Sequence, residues 1–117
     1  MIKVYCYERC TTCVKAIKWL TTHNIEHEVI DIKSAHPDEQ TLRELHKLSG
    51  LPLKRFFNTS GQKYRQLDLS NKLPSMSEDE QYKILASDGM IVKRPLVVGD
   101  GFVLTGFKEA EWTEKLL

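Results

Sequence analysis

The chain has 117 residues, and its 17 basic and 16 acidic side chains give a formal net charge of +1 at pH 7. This length suits one compact domain, residues 1–117, which can bury a core without disulfide staples. The near-neutral charge argues against a protein that binds the nucleic-acid backbone through many positive charges. No apolar run approaches the roughly 20 residues of a membrane span, and the N-terminus lacks the layout of a signal peptide. We therefore expect a cytoplasmic monomer that contacts neither nucleic acid nor membrane directly.

The beginning of the chain predicts a strand, a helix and a second strand. Residues 2–6 and residues 27–32 are rich in β-prone side chains. Between them, an apolar stripe predicts a helix over residues 14–20, closed by Asn24, which tolerates the left-handed conformation that ends helices. The residues assigned to this buried stripe are Val14, Ala16, Ile17, Trp19 and Leu20. A strand, helix, strand unit this short implies a right-handed parallel crossover.

The middle of the chain, about residues 37–90, predicts a helical insertion. Its first helix runs over about 37–49 and ends at Gly50. The buried stripe of that helix is predicted to consist of Leu42, Leu45 and Leu48. A later helix opens at Ser77, and Glu80 follows at the spacing of a capping box.

The last third of the chain returns to strands. Residues 95–98 and 102–105 flank a short Gly-rich turn, which predicts an antiparallel hairpin. Residues 107–117 then predict an amphipathic helix. Its candidate buried positions are Ala110, Trp112 and Leu116. The whole pattern predicts an α/β fold, a four-stranded mixed sheet with helices on both faces, in which the helical insertion separates a β-α-β unit from a β-hairpin and helix.

All three cysteines lie within the first 13 residues, which excludes a disulfide framework across a small secreted fold. Cys10 and Cys13 fall where the first strand ends and the helix begins. A thiol at a helix N-terminus faces unpaired N–H groups and the positive end of the helix dipole, and both favour the thiolate. We predict that Cys10 is a nucleophile and that Cys13, one turn along, attacks the resulting adduct to form a redox disulfide.

Other interpretations of the cysteines compete with this one. Cys6, inside the first strand, is interpreted as a buried and inert thiol. A zinc site would need four ligands, and the histidines at positions 23, 27, 36 and 46 show no paired spacing that would complete one. The spacing of the three cysteines is also similar to the cluster motif of radical S-adenosylmethionine enzymes. Those enzymes use a much larger barrel, and cysteine spacing alone is weak support for a [4Fe–4S] cluster.

Several further segments extend the pattern beyond the thiols. They are residues 5–20, Phe57-Asn58-Thr59 with Tyr64-Arg65, residues 69–85, and Lys93-Arg94-Pro95-Leu96-Val97-Val98 leading to Gly106-Phe107. With them the chain resembles, over nearly its whole length, the arsenate reductase (ArsC)-like family, in the branch that contains the Spx and MgsR regulators. The resemblance implies a thioredoxin-like fold with a helical insertion, which agrees with the predicted element order.

The resemblance also implies roles for individual residues. Pro95 stands where thioredoxin-like folds carry a cis-proline beside the active cysteine. Arg94 would then point toward Cys10, stabilise its thiolate and bind an oxyanion bidentately; the alternative is a solvated arginine in a basic pair with its neighbour. Thr11 and Thr12 would supply helix-start amides and hydroxyls to the substrate. Electrons would come from glutathione or a thioredoxin-type thiol donor, with no other cofactor.

The chain departs from this family at positions that bear on function. Family members that reduce arsenate surround the nucleophile with three arginines, whereas Asn58 and Lys108 stand at two of the matching positions here. The leading prediction is a thiol-dependent oxidoreductase that reduces an oxyanion such as arsenate, or a disulfide. The alternative is a Spx-like redox-sensing transcriptional regulator that binds the RNA polymerase α subunit, although Pro52 stands near a glycine that those regulators use for this contact. A third possibility is a family member that kept the fold and lost the chemistry.

Overall fold

The structure is a computed structural model, and it describes residues 1–117. Its strands are β1 (Ile2–Cys6), β2 (His27–Asp31), β3 (Leu96–Val98) and β4 (Val103–Thr105). They form one mixed sheet in the order β2-β1-β3-β4. Strand β1 pairs parallel with β2 and antiparallel with β3, and β3 pairs antiparallel with β4. The predicted fold class is confirmed, including the parallel crossover and the late hairpin.

Helices fill the connections between these strands. The α-helices are α1 (Thr11–Thr22), α2 (Glu39–Ser49), α3 (Gln62–Gln66), α4 (Leu69–Lys72), α5 (Glu78–Ser87) and α6 (Glu109–Leu116). Short 3₁₀ turns lie at Leu53–Phe56, Leu73–Ser75 and Gly89–Ile91. Helices α2 to α5 occupy the long connection between β2 and β3. None of the helices has the length and apolar character needed to cross a membrane.

The helix ends follow the local sequence signals. Asp38 caps α2, because its carboxylate accepts a hydrogen bond from the Thr41 N–H at 2.8 Å. Gly50 ends that helix with φ +67°, a left-handed conformation that glycine adopts without a steric penalty. Ser77 and Glu80 form the predicted capping box at the start of α5, each side chain bonding the other's backbone N–H. These signals fix where the insertion helices begin and end.

A hydrophobic core lies on each face of the sheet. Helices α1 and α6 cover one face, where the ring of Trp112 packs edge-on against Trp19 with 5.7 Å between ring centroids. The buried residues of this core are Ile2, Val4, Cys6, Cys13, Ala16, Leu20, Val97, Leu104 and Trp112. The larger core on the other face includes Ile32, Leu42, Leu45, Phe56, Phe57, Leu69, Leu85, Ile91 and Leu96. The alternation of β1 places Cys6 in the same core as Cys13 of α1.

Three predicted core positions are wrong, because Val14, Leu48 and Ala110 are exposed. An α-helix turns about 100° per residue, so a step of six residues makes one full turn plus about 240°. Val14 therefore lies about 120° away from the buried Leu20 around α1. Leu48 is displaced from the buried Leu42 in the same way. Ala110, two residues before Trp112, lies almost on the opposite side of α6.

Candidate active site

Cys10 stands at the junction between β1 and α1, as predicted. It is the N-cap residue of α1, with extended backbone angles of φ −89° and ψ 115°. Its N–H donates to the Tyr7 carbonyl at 3.0 Å, and its carbonyl accepts from the Val14 N–H at 3.0 Å. The thiol is half-buried and makes no capping hydrogen bond to the first turn. The amides of that turn therefore stay free to face an anion that reaches Cys10.

Cys13 lies behind Cys10 and is 2% exposed. A hydrogen bond from the Cys6 thiol is the largest influence on it and lowers the pKa of Cys13 to about 6. The Tyr7 backbone, the Cys10 side chain and the positive charge of Arg94 act in the same direction, while burial opposes them. Cys13 is thus placed to be a thiolate at neutral pH.

Cys6 occupies the last position of β1 and is buried, as the sequence analysis predicts. It is not an isolated core thiol, however, because it hydrogen-bonds with Cys13. This bond to the neighbouring sulfur, together with burial, raises the pKa of Cys6. Spacing along the chain did not indicate the contact, since it depends on how α1 packs across the end of β1.

A cleft of about 770 Å³ opens in front of Cys10. Five cationic side chains and no acidic one line this basic cleft. The lining residues are Cys10, Thr12, Pro52, Lys54, Arg55, Phe57, Asn58, Thr59, Ser60, Gly61, Lys93, Arg94, Thr105, Gly106, Phe107 and Lys108. A wall with this charge favours anionic ligands, and the volume is that of a site for a small organic molecule.

Arg94 lies in the cleft wall close enough to the cysteines for its charge to lower the pKa of Cys13. Its Nη1 donates to the Met90 carbonyl at 3.2 Å, and its guanidinium carbon lies 5.7 Å from the centre of the Tyr7 ring. Its Nε is buried without a hydrogen-bond partner, and so is Oγ1 of Thr105 in the same wall. Unpaired buried polar groups are rare in folded proteins.

The far wall of the cleft is held by backbone pairing rather than by the sheet. Phe57 and Val92 form an isolated antiparallel bridge, flanked by the Lys93 N–H donating to the Phe56 carbonyl at 2.8 Å. Nη2 of Arg55 also donates to Oε1 of Glu111, in α6, at 3.3 Å. The 3₁₀ turn that carries Arg55 is therefore fastened to both the strand region and α6.

The structure brings half of the sequence-predicted site residues to this cleft. Cys10, Thr12 and Arg94 line it, and Asn58 and Lys108 also do so, at the positions where the resemblance implied arginines. The predicted residues Cys13, Thr11 and Pro95 are not among its lining residues. Cys13 is buried behind Cys10, Thr11 is exposed, and Pro95 is buried and follows the predicted cis peptide bond.

Part of the cleft wall was not predicted from the sequence, namely the cations Lys54, Arg55 and Lys93 and the neutral Thr105. Lys93 forms a basic pair with Arg94 in the sequence, and this pair was the one available signal. Lys54 and Arg55 lie about 40 positions earlier, and long-range contacts such as the Phe57–Val92 bridge bring them to the cleft. No local pattern indicates such a long-range pairing.

Comparisons with known proteins agree with this architecture. The model of the ArsC family matches residues 5–115. YusI, an uncharacterized protein of Bacillus subtilis (strain 168), is 52% identical over 110 residues, which make up 94% of this chain and 93% of YusI. The global transcriptional regulator Spx of Staphylococcus epidermidis is 23% identical over 111 residues, 95% of this chain and 83% of Spx. The crystal structure of an ArsC-family-related protein from Bacteroides fragilis has a TM-score of 0.94 and 50% identity, covering 97% of this chain and 95% of its own.

Proposed function

Because the chain belongs to the ArsC family, a thioredoxin-like family, we propose that it is a thiol-dependent oxidoreductase that reduces small anionic disulfides with Cys10 and Cys13. One observation carries the proposal: Cys10 lies on the wall of a basic cleft, and Cys13 is buried directly behind it. A nucleophile with a resolving thiol on the next turn is the arrangement that dithiol reductases need. The cationic wall supplies the preference for negative charge.

The reaction proceeds in two exchange steps. The Cys10 thiolate attacks one sulfur of a disulfide RS–SR, forming a mixed disulfide and releasing RS⁻. The Cys13 thiolate then attacks the Cys10 sulfur, forming the Cys10–Cys13 disulfide and releasing the second RS⁻. Each RS⁻ takes a proton from water. The protein loses two electrons and the substrate gains them.

Residues in the cleft and behind it support both exchange steps. Arg94 and Lys93 attract the anionic groups of the substrate, and the free first-turn amides of α1 face the negative charge near Cys10. Cys13, with its pKa lowered to about 6, attacks as a thiolate at neutral pH. A dithiol of the thioredoxin type, or two molecules of glutathione, returns the pair to the reduced state in the cytoplasm.

An oxyanion such as arsenate is the weaker substrate candidate. The cleft of about 770 Å³ is far larger than a single tetrahedral oxyanion. Asn58 and Lys108 replace two arginines that the resemblance implied, and lysine lacks the fork that binds two oxygens at once. These features favour a larger, more extended anionic substrate.

A redox-sensing regulator is the second candidate function, and the similarity to Spx over 95% of the chain supports it. In that function the Cys10–Cys13 disulfide would change affinity for the RNA polymerase α subunit instead of transferring electrons to a substrate. Pro52, in the cleft wall, has φ −59° and ψ 142°. Its fixed φ and missing N–H differ from what a glycine would offer to a partner.

Activity measurements with three proteins test the proposal. The substrate is 5,5′-dithiobis(2-nitrobenzoate), a small disulfide with two carboxylates whose thiolate product is coloured. One equivalent is mixed with the reduced protein without any other thiol, because dithiothreitol would reduce the reagent directly. We expect fast release of both halves by the unaltered protein, almost none by Cys10→Ser, and a halt after one mixed disulfide in Cys13→Ser. Equal rates for all three proteins would refute the enzyme. Redox-dependent capture of RNA polymerase α by a protein without turnover would favour the regulator.

A further inference from the structure

A second cavity, of about 440 Å³, opens beside the cysteines and shares no lining residue with the basic cleft. Cys6 and Cys13 line it and Cys10 does not, whereas Cys10 alone of the three lines the basic cleft. The lining residues of this apolar groove are Cys6, Tyr7, Glu8, Cys13, Val14, Ile17, Val29 and Asp31. Val14 and Val29 are 57% and 52% exposed, so the groove is open to solvent. The cysteines therefore connect two different surfaces.

Cys13 is the middle member of the three thiols. It lies three residues after Cys10 on α1, shares the core layer of Cys6, and lines the apolar groove together with Cys6. Cys6 and Cys13 belong to one packed layer between β1 and α1, and each is at most 5% exposed. Two thiols that share one core layer and one groove wall are placed for a disulfide that needs little backbone movement.

We propose that Cys6 is a third redox thiol, which receives the disulfide from Cys10 and moves it to the Cys6–Cys13 pair at the apolar groove. This inference rests on the proposed function, because that reaction supplies the Cys10–Cys13 disulfide. It gives Cys6 a role in the reaction, in place of a purely structural one.

The transfer is a balanced exchange that needs no outside oxidant. The Cys6 sulfur attacks the Cys13 sulfur, the Cys6–Cys13 bond forms, and the Cys10–Cys13 bond breaks. Cys10 leaves as a thiolate, and the proton lost by Cys6 is available to it. The number of disulfides stays at one, so no electrons enter or leave the protein.

The positions of the three thiols favour this direction. Cys10 leaves at the N-terminus of α1, where the helix dipole stabilises a departing thiolate. Once Cys13 is in a disulfide, it is no longer the thiolate to which the Cys6 thiol donates. After the transfer, Cys10 is again free in the basic cleft. A dithiol reductant then restores Cys6 and Cys13 by two exchange steps, taking the disulfide onto itself.

Trypsin provides a direct assay, because it cleaves after Arg9, between Cys6 and Cys10. Peptide Val4–Arg9 then carries Cys6, and peptide Cys10–Lys15 carries both other cysteines. The reduced protein receives one equivalent of 5,5′-dithiobis(2-nitrobenzoate), is blocked with N-ethylmaleimide at successive times, and is digested for mass spectrometry. We expect a disulfide within the second peptide first, then a cross-link between the two peptides, with fragmentation placing the cross-link on Cys13 and the blocking group on Cys10.

Alkylation of Cys10 gives a second measurement. In the oxidised unaltered protein, iodoacetamide should modify Cys10, whereas in oxidised Cys6→Ser the same labelling should fall at least about tenfold, because Cys10 stays in its disulfide. Circular dichroism of both reduced proteins confirms equal folding. A lasting Cys10–Cys13 disulfide with no cross-link in the unaltered protein would refute the transfer and leave the proposed function intact. Absence of any disulfide would refute both.

Discussion

Removal of the Cys6 thiol should make Cys13 a weaker acid. The Cys6 hydrogen bond is the largest cause that lowers the pKa of Cys13 from its ordinary 9.0 to about 6. A hydrogen bond to a charged group contributes about 1.5–3 kcal/mol, and one pKa unit corresponds to about 1.36 kcal/mol. Cys6→Ala should therefore raise the pKa of Cys13 by about 1–2 units. At pH 7 its thiolate fraction should fall from about nine-tenths to between about one-half and one-tenth.

The assay is the thiolate absorbance at 240 nm, titrated from pH 4 to pH 9 in a Cys10→Ser background. Serine keeps a hydroxyl beside Cys13, and the raised pKa of Cys6 keeps that thiol silent over this range. Cys6→Ser is the matched control, because its hydroxyl can still donate to Cys13, and its titration should stay nearer that of the parent. A midpoint that remains near pH 6 in Cys6→Ala would refute the assigned cause.

The same pair of thiols should set the pH dependence of stability. Between pH 6 and 9, Cys13 is deprotonated in the folded chain and protonated in the unfolded chain, so the free energy of unfolding rises with pH. Above pH 9, Cys6 keeps its proton in the folded chain and loses it on unfolding, so stability falls again. Urea unfolding at several pH values should show the rise in the unaltered protein and lose it in Cys13→Ser.

Other predictions concern the cleft wall and the core. Arg94→Met should lower the second-order rate constant of the reduced protein with the dicarboxylate disulfide about tenfold or more, and that with neutral 2-hydroxyethyl disulfide much less, with Arg94→Lys in between. Equal losses on both substrates would contradict its role with anions. Gly89→Ala should cost about 3 kcal/mol in urea unfolding, because its Cβ would lie 1.9 Å from the Ile32 carbonyl oxygen. Gly50→Ala, with open space and only φ +67° against it, should cost about 1 kcal/mol, and equal losses would contradict the steric argument. Trp112→Phe should cost about 1–2 kcal/mol, because it removes the buried hydrogen bond of 3.1 Å that the indole N–H donates to the Gly106 carbonyl. An unchanged denaturation midpoint would show that this hydrogen bond contributes nothing.

Local signals in the sequence predicted much of the fold. The capping pair Ser77 and Glu80 and the terminating Gly50 mark helix ends by chemistry that acts within a few residues, and the structure keeps both. Spacing was less informative about which helix face is buried. Val14 and Leu48 follow the three-residue rhythm of their stripes, but the 100° turn per residue carries them away from the sheet.

The candidate site also contains residues that the sequence predicts and residues that depend on long-range packing. Cys10 and Arg94 could be predicted, the first from the strand-to-helix junction and the second from the family resemblance. The Cys6 contact with Cys13 could not, because it depends on the packing of α1 on β1. Lys54 reaches the cleft through a backbone bridge between distant segments, and the sequence contains no short-range record of that pairing.

A count of free thiols tests the central claim most directly. The reduced protein has three thiols, and it is mixed with one equivalent of 5,5′-dithiobis(2-nitrobenzoate) without any reductant. A dithiol reductase should release both halves of the reagent as coloured thiolate and keep one free thiol, whichever pair holds the disulfide. Release of only one half, with the other still bound to the protein, would contradict a reaction in which a second cysteine resolves the adduct on Cys10.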